Sequence, residues 1–433
     1  MRPVPGIEPS PPRVAGRLPW LGSGLALLRD PSAFFARARR ELGDTFVVDA
    51  FGHRLFCVFS AEALRALYAL PEREASFGLA TFELVMRHKI PLELAVGRRN
   101  RPHELFGSQE VEEYLGTLEE AVSCEIAELG VAGRFEIFAR ARRLGHRLGL
   151  ACWTGEEAAS ARYLDRLIPL FERLDTSESF VHPASLFVSV ATRKRRERRA
   201  MAGIEAVVTE ILAGREGCTP PDDFLTRIHA SFKDLPEPER AVQTARDVML
   251  IHLGAQSNLP AALAWTLVDL LLRPALLERV AAGDDGLLER CANESIRMAQ
   301  RSITLRRVMR PIAIHDGERS YRVEPGAMVT TMLSVNNRSA APSLEHFDPD
   351  HYDGRRLAKK VELPARELVS TFGHGRHSCP AQRFSISAIR IALRRLLDRY
   401  ELIPEFASAT PRRRQLGGVA RAERPCFVSY RAR

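Results

Sequence analysis

The chain has 433 residues, of which 45% are hydrophobic and 27% are charged, as is usual for a globular protein. Its 7 cysteines are scattered and form no C-x-x-C spacing, which excludes a disulfide framework and a zinc ribbon. The formal net charge is +9 and comes almost entirely from arginine. The densest basic run, 193–199, has no interleaved aromatic residue, so we expect a solvated helix face and no nucleic-acid partner.

The pattern of the N-terminal segment does not predict a secretory signal. Residues 1–17 are rich in proline and lack the apolar stretch of a secretory signal. The apolar patch at 18–28 is only about half as long as a membrane span. We therefore expect a cytoplasmic protein without a membrane span.

Hydrophobic periodicity predicts a chain that is mainly α with a minor β part. The predicted helices lie at 30–42, at several places between 111 and 212, at 240–272, at 286–299 and at about 381–400. The predicted strands lie in 44–59 and between 302 and 335. No repeat and no low-complexity linker divides the chain, so we expect residues 1–433 to form one domain.

The long helix predicted at 240–272 contains a weak point in its middle. At about 1.5 Å per residue it would span roughly 50 Å, enough to cross a whole domain. Its centre holds four poor formers of a helix interior, Gly254, Ser257, Asn258 and Pro260. A long buried helix with such a centre is typical of a functional kink.

The stretch TFGHGRHSCPAQRFSISAI surrounds Cys379 with conformational freedom and positive charge. Gly373 and Gly375 allow the backbone to turn its amides inward. Pro380 suits the first turn of a helix, so we expect Cys379 at a helix N-terminus, where the macrodipole stabilises a thiolate. With His377 beside it, the sulfur has the surroundings of a metal ligand. The alternative is a buried structural cysteine beside a glycine turn.

The spacing F-G-x-G-x-H-x-C, from Phe372 to Cys379, resembles the haem-binding loop of the cytochrome P-450 family. The resemblance implies that Cys379 is the proximal ligand of the iron in haem b, with Phe372 and Gly373 in the cofactor loop. It also implies a helical prism that encloses haem between the long helix and the helix after Cys379. Ala381 departs from the glycine that is usual in the family, but it is small enough to keep the close approach.

A second resemblance is the E-x-x-R pattern in "ESIR", which gives Glu294 and Arg297 one helical turn apart. In this family such a pair has a structural role upstream of the cysteine loop. The family's third partner is an arginine, and "FDPDHY" places His351 at that position. We interpret the three residues as structural, with His351 able to form a hydrogen bond to the pair.

Haem carries two propionates, and buried carboxylates need cationic partners. The resemblance points to Arg306 in "ITLRRVM" as one partner and to His377 as a second. The basic stretch "GRRNRPH" offers further candidates for cofactor binding, namely Arg98, Arg99 and His103. Its alternative interpretation is an exposed basic loop.

Most family members place an acid–threonine pair at the kink of the long helix, where it helps to deliver protons. Here Ser257 and Asn258 stand at those positions, and an amide is a poor proton relay. Ser257 or water is the expected substitute, and dioxygen would react near Ala255 and Asn258.

The string "AQSNLPAA" and the "CPAQRF" that closes the loop are similar to the sequences of one branch of the family, which contains cholesterol 7α-hydroxylase, sterol 12α-hydroxylase and prostacyclin synthase. That branch includes hydroxylases and an isomerase, so the reaction type stays open.

The resemblance implies a haem-thiolate monooxygenase that hydroxylates or otherwise oxidises a hydrophobic small molecule, sterol-like or lipid, with O2. Two electrons must come from an external ferredoxin or flavodoxin and its reductase. We predict that this partner docks on a face formed by Arg383, Arg390 and Arg394, although a merely exposed arginine face is the alternative.

The expected determinants of substrate specificity are the segments 77–94, 180–190 and 303–305. The arginine bias is typical of a bacterial protein from a GC-rich genome.

Two other functions are compatible with a haem-thiolate chain. One is a reductant-independent isomerase or dehydratase that acts on a peroxide-type substrate, with Asn258 orienting it. The other is a haem-thiolate sensor or ligand carrier, which would bind ligands without turnover.

Overall fold

A computed structural model describes residues 7–8, 10–16, 19–95, 104, 106–176, 189–217, 219–354 and 357–433. The chain divides into two compact units. Unit 1 comprises Met1–Met86, Asn293–Cys379 and Pro411–Ala420, and unit 2 comprises Arg87–Ala292, Pro380–Thr410 and Arg421–Arg433. One catalytic domain over residues 1–433 therefore stays a prediction.

The elements confirm a chain that is mainly α with a minor β part. The described helices are α1 Gly24–Arg29, α2 Pro31–Leu42, α3 Ala61–Ala69, α4 Phe77–Thr81, α5 Leu92–Ala95, α6 Ser108–Ala127, α7 Ile137–Thr154, α8 Glu156–Ala159, α9 Ala161–Leu174, α10 Arg195–Gly214, α11 Phe224–Ala230, α12 Glu239–Ala255, α13 Asn258–Leu271, α14 Pro274–Ala281, α15 Asp285–Ala299, α16 Leu333–Ser339, α17 Leu357–Lys360 and α18 Gln382–Arg399. The described strands are β1 Ile7–Glu8, β2 Thr45–Ala50, β3 His53–Val58, β4 Ala75–Ser76, β5 Ala132–Glu136, β6 Ile303–Val308, β7 Ile312–His315, β8 Ser320–Val323, β9 Met328–Met332, β10 Tyr400–Pro404 and β11 Phe427–Ala432.

Unit 1 is built on a five-stranded sheet with the strand order β2-β3-β9-β6-β4. β3 and β9 are parallel, while the other neighbours are antiparallel. β6 pairs with β9 so that Arg306 lies opposite Val329, and Arg306 is only 1% exposed. The next residue, Arg307, faces the other side, as expected for a strand, and it pairs with Glu83 at 3.3 Å. The sheet thus selects which of two adjacent arginines is buried.

Unit 2 contains the long helix, which the structure divides into α12 and α13. The break falls at residues 256–257, in the middle of the predicted weak point. Pro260 consequently lies in the first turn of α13, where its missing N–H costs nothing. Every residue from Leu259 to Leu271 is buried. The helix is therefore interrupted at the point where the sequence predicted its weak centre.

Helix α7 packs closely against α13 because it presents a glycine at the contact. A Cβ on Gly145 would lie 2.4 Å from Cγ of Pro260. One turn later, a Cβ on Gly149 would lie 2.3 Å from the ring of Trp153 and 3.2 Å from Nδ1 of His252. The two glycines let α7 approach both halves of the broken helix.

A three-stranded antiparallel sheet in unit 2 joins distant parts of the chain. β11 lies between β10 and β5, with Phe427 opposite Glu136. The sequence predicted only helix and turns in the region of β5, so this strand is a correction. Its pairing partner lies almost 300 residues away, beyond the reach of local periodicity.

The described part of the chain contains no single helix that is long and apolar enough to cross a membrane. Two successive helical segments, Glu239–Leu271 and Pro274–Ala281, are together long and apolar enough for a span, but they are bent by 109° relative to each other.

Candidate functional site

The loop before Cys379 forms a closed turn in unit 1. The backbone N–H of Cys379 donates to the carbonyl of Phe372 at 2.6 Å, which brings the two ends of the F-G-x-G-x-H-x-C pattern together. The Cys379 side chain is exposed, whereas Cys57, Cys152 and Cys291 are buried. Cys379 is therefore not packed as a structural core cysteine.

Gly373 is required by the geometry of this turn. Its φ is +79°, a region that L side chains rarely adopt. A Cβ at this position would also lie 2.9 Å from the carbonyl oxygen of His377. The Gly373 N–H donates to Oγ of Ser370 at 3.0 Å. A side chain here would push the loop away from its closed form.

The helix after the loop begins later than the sequence predicted. α18 starts at Gln382, with Ala381 as its N-cap, so Pro380 precedes the helix and does not occupy its first turn. Cys379 is three positions before the first helical residue. Because the effect of the macrodipole falls off within one turn, the helix contributes less to a Cys379 thiolate than predicted.

Glu294, Arg297 and His351 meet in the interior of unit 1. Arg297 forms a bidentate pair with Glu294, with Nη2–Oε1 at 2.5 Å and Nε–Oε2 at 2.7 Å, and neither side chain is exposed. His351 Nδ1 lies 3.1 Å from the same Oε1. Arg297 also donates to the backbone carbonyls of Asn337, Leu344 and His346. The three predicted residues thus anchor α16 and the backbone that follows it.

Two further side chains connect this cluster to the cysteine loop, and the sequence did not single them out. Asn337 donates to the carbonyls of Arg297 and Ser370 at 3.2 and 2.9 Å, and it accepts from the Ser370 N–H at 2.8 Å. Gln300 donates to the carbonyl of Thr371 at 3.1 Å. Nothing in local periodicity marks these amides, because their partners lie on distant segments.

Arg306 and His377 lie on the same side of unit 1 and share a carboxylate. Glu72 Oε1 is 3.1 Å from Arg306 Nη1 and 2.9 Å from His377 Nε2. The ring of Phe77 lies 4.8 Å from that of His377, and the Arg306 guanidinium lies 5.9 Å from the Phe77 ring. Burial lowers the pKa of Arg306 and of His377. The structure therefore brings the two predicted propionate partners together, and Glu72 was missed.

Other sequence candidates fall partly beyond the described residues. Arg98, Arg99 and His103 lie outside them, as does most of the segment 180–190. The segment 77–94 contains α4, a π-helix at Phe82–Met86 and part of α5, and 303–305 is the first half of β6.

In unit 2, the break of the long helix exposes a short face of an otherwise buried element. Gly254 and Asn258 are exposed, Ala255 and Ser257 are half-buried, and a Cβ on Gly254 would meet no atom within 4 Å. Gln256 is 2% exposed, and both atoms of its amide have no hydrogen-bond partner in the part of the chain that the structure describes. The predicted catalytic residues thus lie together at the break, beside an unsatisfied amide.

The residues of unit 1 fit haem b. An accessible thiol is a soft ligand for iron, and a buried guanidinium suits a carboxylate. The Nε of Arg306 is buried and has no hydrogen-bond partner among the described residues, so Arg306 has a donor left for a second anion.

Comparisons with known proteins find similar sequences over most of the chain. The sequence model described as Cytochrome P450 matches residues 286–429. The human (Homo sapiens) 24-hydroxycholesterol 7-alpha-hydroxylase is 22% identical over 457 residues, which cover 98% of this chain and 94% of that protein. The sterol 14alpha-demethylase of Mycobacterium tuberculosis is 22% identical over 455 residues, which cover 98% of each chain.

A solved structure shows the fold. "Retinoic acid bound cyanobacterial CYP120A1" superposes with a TM-score of 0.75 at 20% identity, covering 98% of this chain and 99% of that one. The predicted cytochrome P-450 fold is confirmed. The sequence model, the relatives and the fold together bear out the predicted resemblance to the cytochrome P450 family, and they support an oxidoreductase of the monooxygenase type with haem b as its cofactor.

Proposed function

We propose that the chain oxidises a hydrophobic small molecule of the sterol or lipid class, by hydroxylation or a related oxidation, with O2 and external electrons. The names of two relatives support a sterol-like substrate, since one is a 7-alpha-hydroxylase of 24-hydroxycholesterol and another is a sterol 14alpha-demethylase. The observation in this chain that carries the proposal is the exposed Cys379 thiol in a loop that the Cys379–Phe372 hydrogen bond closes.

Cys379 would hold the cofactor through its sulfur, and thiolate ligation is an established property of the family rather than a result of this structure. When bound, haem supplies the iron at which dioxygen is activated for transfer of one oxygen atom. Arg306 and His377 would bind a propionate through charge-assisted hydrogen bonds. Gly373 keeps the loop clear of a Cβ, while Glu294, Arg297 and His351 hold the backbone that supports it. Arg98 and His103 remain proposed contacts of the cofactor.

At the break of the long helix, we assign different tasks to neighbouring residues. The Ser257 hydroxyl both donates and accepts hydrogen bonds, so it can pass a proton. The Asn258 amide donates and accepts as well but does not exchange its protons at a useful rate, so it orients a substrate oxygen or water. Ala255 lies within the same turn and limits the space beside them.

The source of electrons is a further part of the proposal. Arg390 and Arg394, two of the three arginines predicted to receive an acidic partner, already pair with Asp285 at 3.5 and 2.5 Å. Arg390 also pairs with Glu289 at 3.3 Å. The face is therefore less positive than the sequence predicted. A ferredoxin or flavodoxin partner, a cytoplasmic location and a bacterial source stay predictions.

The proposal is tested by turnover of a panel of sterols, including 24-hydroxycholesterol, with NADPH, a ferredoxin reductase system and ¹⁸O₂. We expect a product that contains one ¹⁸O atom and that forms only with reductant. Rapid conversion of a lipid hydroperoxide without reductant, and no NADPH-driven product, would instead support the isomerase or dehydratase. The lack of an acid beside Asn258 is the observation that keeps that second function open. Tight ligand binding without turnover in either assay would indicate a sensor or carrier.

A further inference from the structure

One carboxylate of unit 1 contacts both side chains that we assign to a haem propionate. Oε1 of Glu72 lies 3.1 Å from Arg306 Nη1 and 2.9 Å from His377 Nε2. The carboxylate also accepts the backbone N–H of Phe77, at 3.0 Å to Oε1 and 3.2 Å to Oε2. A single oxygen therefore bridges the guanidinium and the imidazole.

The two ends of this bridge have very different surroundings. Arg306 is 1% exposed, so its charge needs an anion nearby. The Glu72 side chain is 47% exposed, so its carboxylate can turn into water, where solvent replaces the hydrogen bond of the Phe77 N–H. The sheet thus holds the buried Arg306 in place, whereas Glu72 can be replaced by another anion.

Glu72 is an anion in this setting. Burial acts to raise its pKa, but the Phe77 amide, the Ser76 hydroxyl, His377 and Arg306 together hold the pKa below its ordinary value. A propionate that approaches Arg306 and His377 therefore meets a second negative charge on the same donors, and two carboxylates that share a site repel each other.

We propose that Glu72 is an internal counter-anion that competes with a haem propionate for Arg306 and His377, and so weakens the retention of haem. This inference rests on the proposed function, in which those two side chains bind a propionate. Binding of a propionate either turns Glu72 into solvent or leaves two negative charges side by side. Either outcome raises the free energy of the haem complex, so removal of the Glu72 charge stabilises that complex.

The test is the rate at which the purified holoenzyme loses haem to an excess of apomyoglobin, followed by Soret absorbance. Glu72→Gln keeps the size and the acceptor oxygen but removes the charge. We expect haem loss to be about fivefold to tenfold slower, which is the scale of one partly exposed ion pair. A merely structural Glu72 would give the opposite result, namely faster loss.

Glu74→Gln is the matched control. Glu74 is a nearby acid that pairs with Arg73 at 3.9 Å, so its substitution makes the same change in net charge two positions along the chain. We expect the rate of haem loss to equal that of the wild type. Equal slowing in both variants would show a general charge effect and would overturn the inference.

A second control changes the cofactor. The chain is reconstituted with haem dimethyl ester, whose propionates carry no charge, and the assay is repeated. We expect the difference between wild type and Glu72→Gln to disappear. Two results would contradict the competition. One is that the wild type and Glu72→Gln still lose the ester at different rates, and the other is that they lose ordinary haem at the same rate.

Arg306→Gln and the half-buried His377→Gln separate this inference from the proposed function. Both variants should lose haem faster than the wild type. If neither does, the assignment of a propionate to these side chains fails, and the competition fails with it. If they lose haem faster while Glu72→Gln is not slower, the assignment stands and only the competition is wrong.

Discussion

His146 Nδ1 and His252 Nε2 lie 2.8 Å apart in a pair of rings that are both fully buried in unit 2. Trp153 donates its indole N–H to His252 Nδ1 at 3.2 Å. The proton of His252 is therefore on Nε2 and is donated to His146, which keeps its own proton on Nε2. His252 is in the last turn of α12, so this chain of neutral donors holds the long helix immediately before its break.

The pair predicts a loss of stability in mild acid. Burial, and then Arg142, lowers the pKa of His146 to about 3, and burial holds the pKa of His252 well below its ordinary value. Below about pH 6.5 the unfolded chain binds protons that the folded chain does not. The free energy of unfolding should therefore fall by about 1.4 kcal/mol per pH unit for each histidine.

Urea unfolding at pH 7 and pH 5.5 measures this slope. In His146→Asn we expect the free energy of unfolding to change less steeply with pH, because one of the two buried histidines is missing. His315 is exposed, so His315→Asn serves as the control. An unchanged slope in His146→Asn would show that the buried pair does not carry the acid sensitivity.

The glycines of α7 predict a second effect on stability. Gly145→Ala should destabilise the fold by about 1–3 kcal/mol, because its methyl group would overlap Pro260. Gly149→Ala should have a similar effect through Trp153 and His252. In α6, a Cβ on Gly116 would meet no atom within 4 Å, so Gly116→Ala should be neutral or stabilising by about 0.5–1 kcal/mol. The midpoint temperatures of thermal unfolding of the three variants test these expectations. Equal midpoints would mean that α7 does not approach the broken helix as described.

The buried ion pair of unit 1 predicts a large penalty for a small change. Arg297→Lys removes the bidentate geometry and leaves Glu294 without a matched partner, which should cost about 3–5 kcal/mol. The exposed pair of Arg134 with Glu405 at 2.8 Å is the comparison, since Arg134→Lys should have little effect on the stability of the fold. The yield of folded protein and the midpoint of urea unfolding measure the loss of stability in both variants. A similar small loss in the two variants would argue against an anchoring role for Arg297.

The assignment of Ser257 and Asn258 predicts different kinetics for two adjacent substitutions. Ser257→Ala should reduce product formed per NADPH consumed by about tenfold or more, because a group that passes protons is lost. Asn258→Ala should chiefly change substrate affinity and the position of oxidation, because an orienting amide is lost. Product yield per NADPH and product identity measure the two effects. If Asn258→Ala uncouples NADPH use more strongly than Ser257→Ala, the two roles must be exchanged.

The sequence predicted those parts of the site whose chemistry is local. Cys379 and Gly373 follow from spacing within one turn, and the weak centre of the long helix located its break. The resemblance drew attention to the Glu294–Arg297 pair, whose spacing alone is common in helices. His351 was found because the resemblance supplied a position for it. These are patterns of a few consecutive residues, which periodicity and motif spacing can detect.

The missed parts depend on contacts between distant segments. Glu72 meets Arg306 across 234 residues, and Asn337 meets Ser370 across 33. Neither contact leaves a signal in the sequence near either partner. The start of α18 was placed too early because Pro380 is compatible with the first turn of a helix but does not require one. The R-L-G-H-R-L-G run of α7, with its glycines four apart, could have indicated a close helix contact.

The ferrous–CO difference spectrum of the purified chain tests the central assignment most directly. With Cys379 as a thiolate ligand, the wild type should show the strongly red-shifted Soret band of thiolate-bound haem, and Cys379→Ser should lose it while Cys124→Ser, at another exposed cysteine, keeps it. A red-shifted band that survives in Cys379→Ser, or a wild-type chain that binds no haem, would contradict the account.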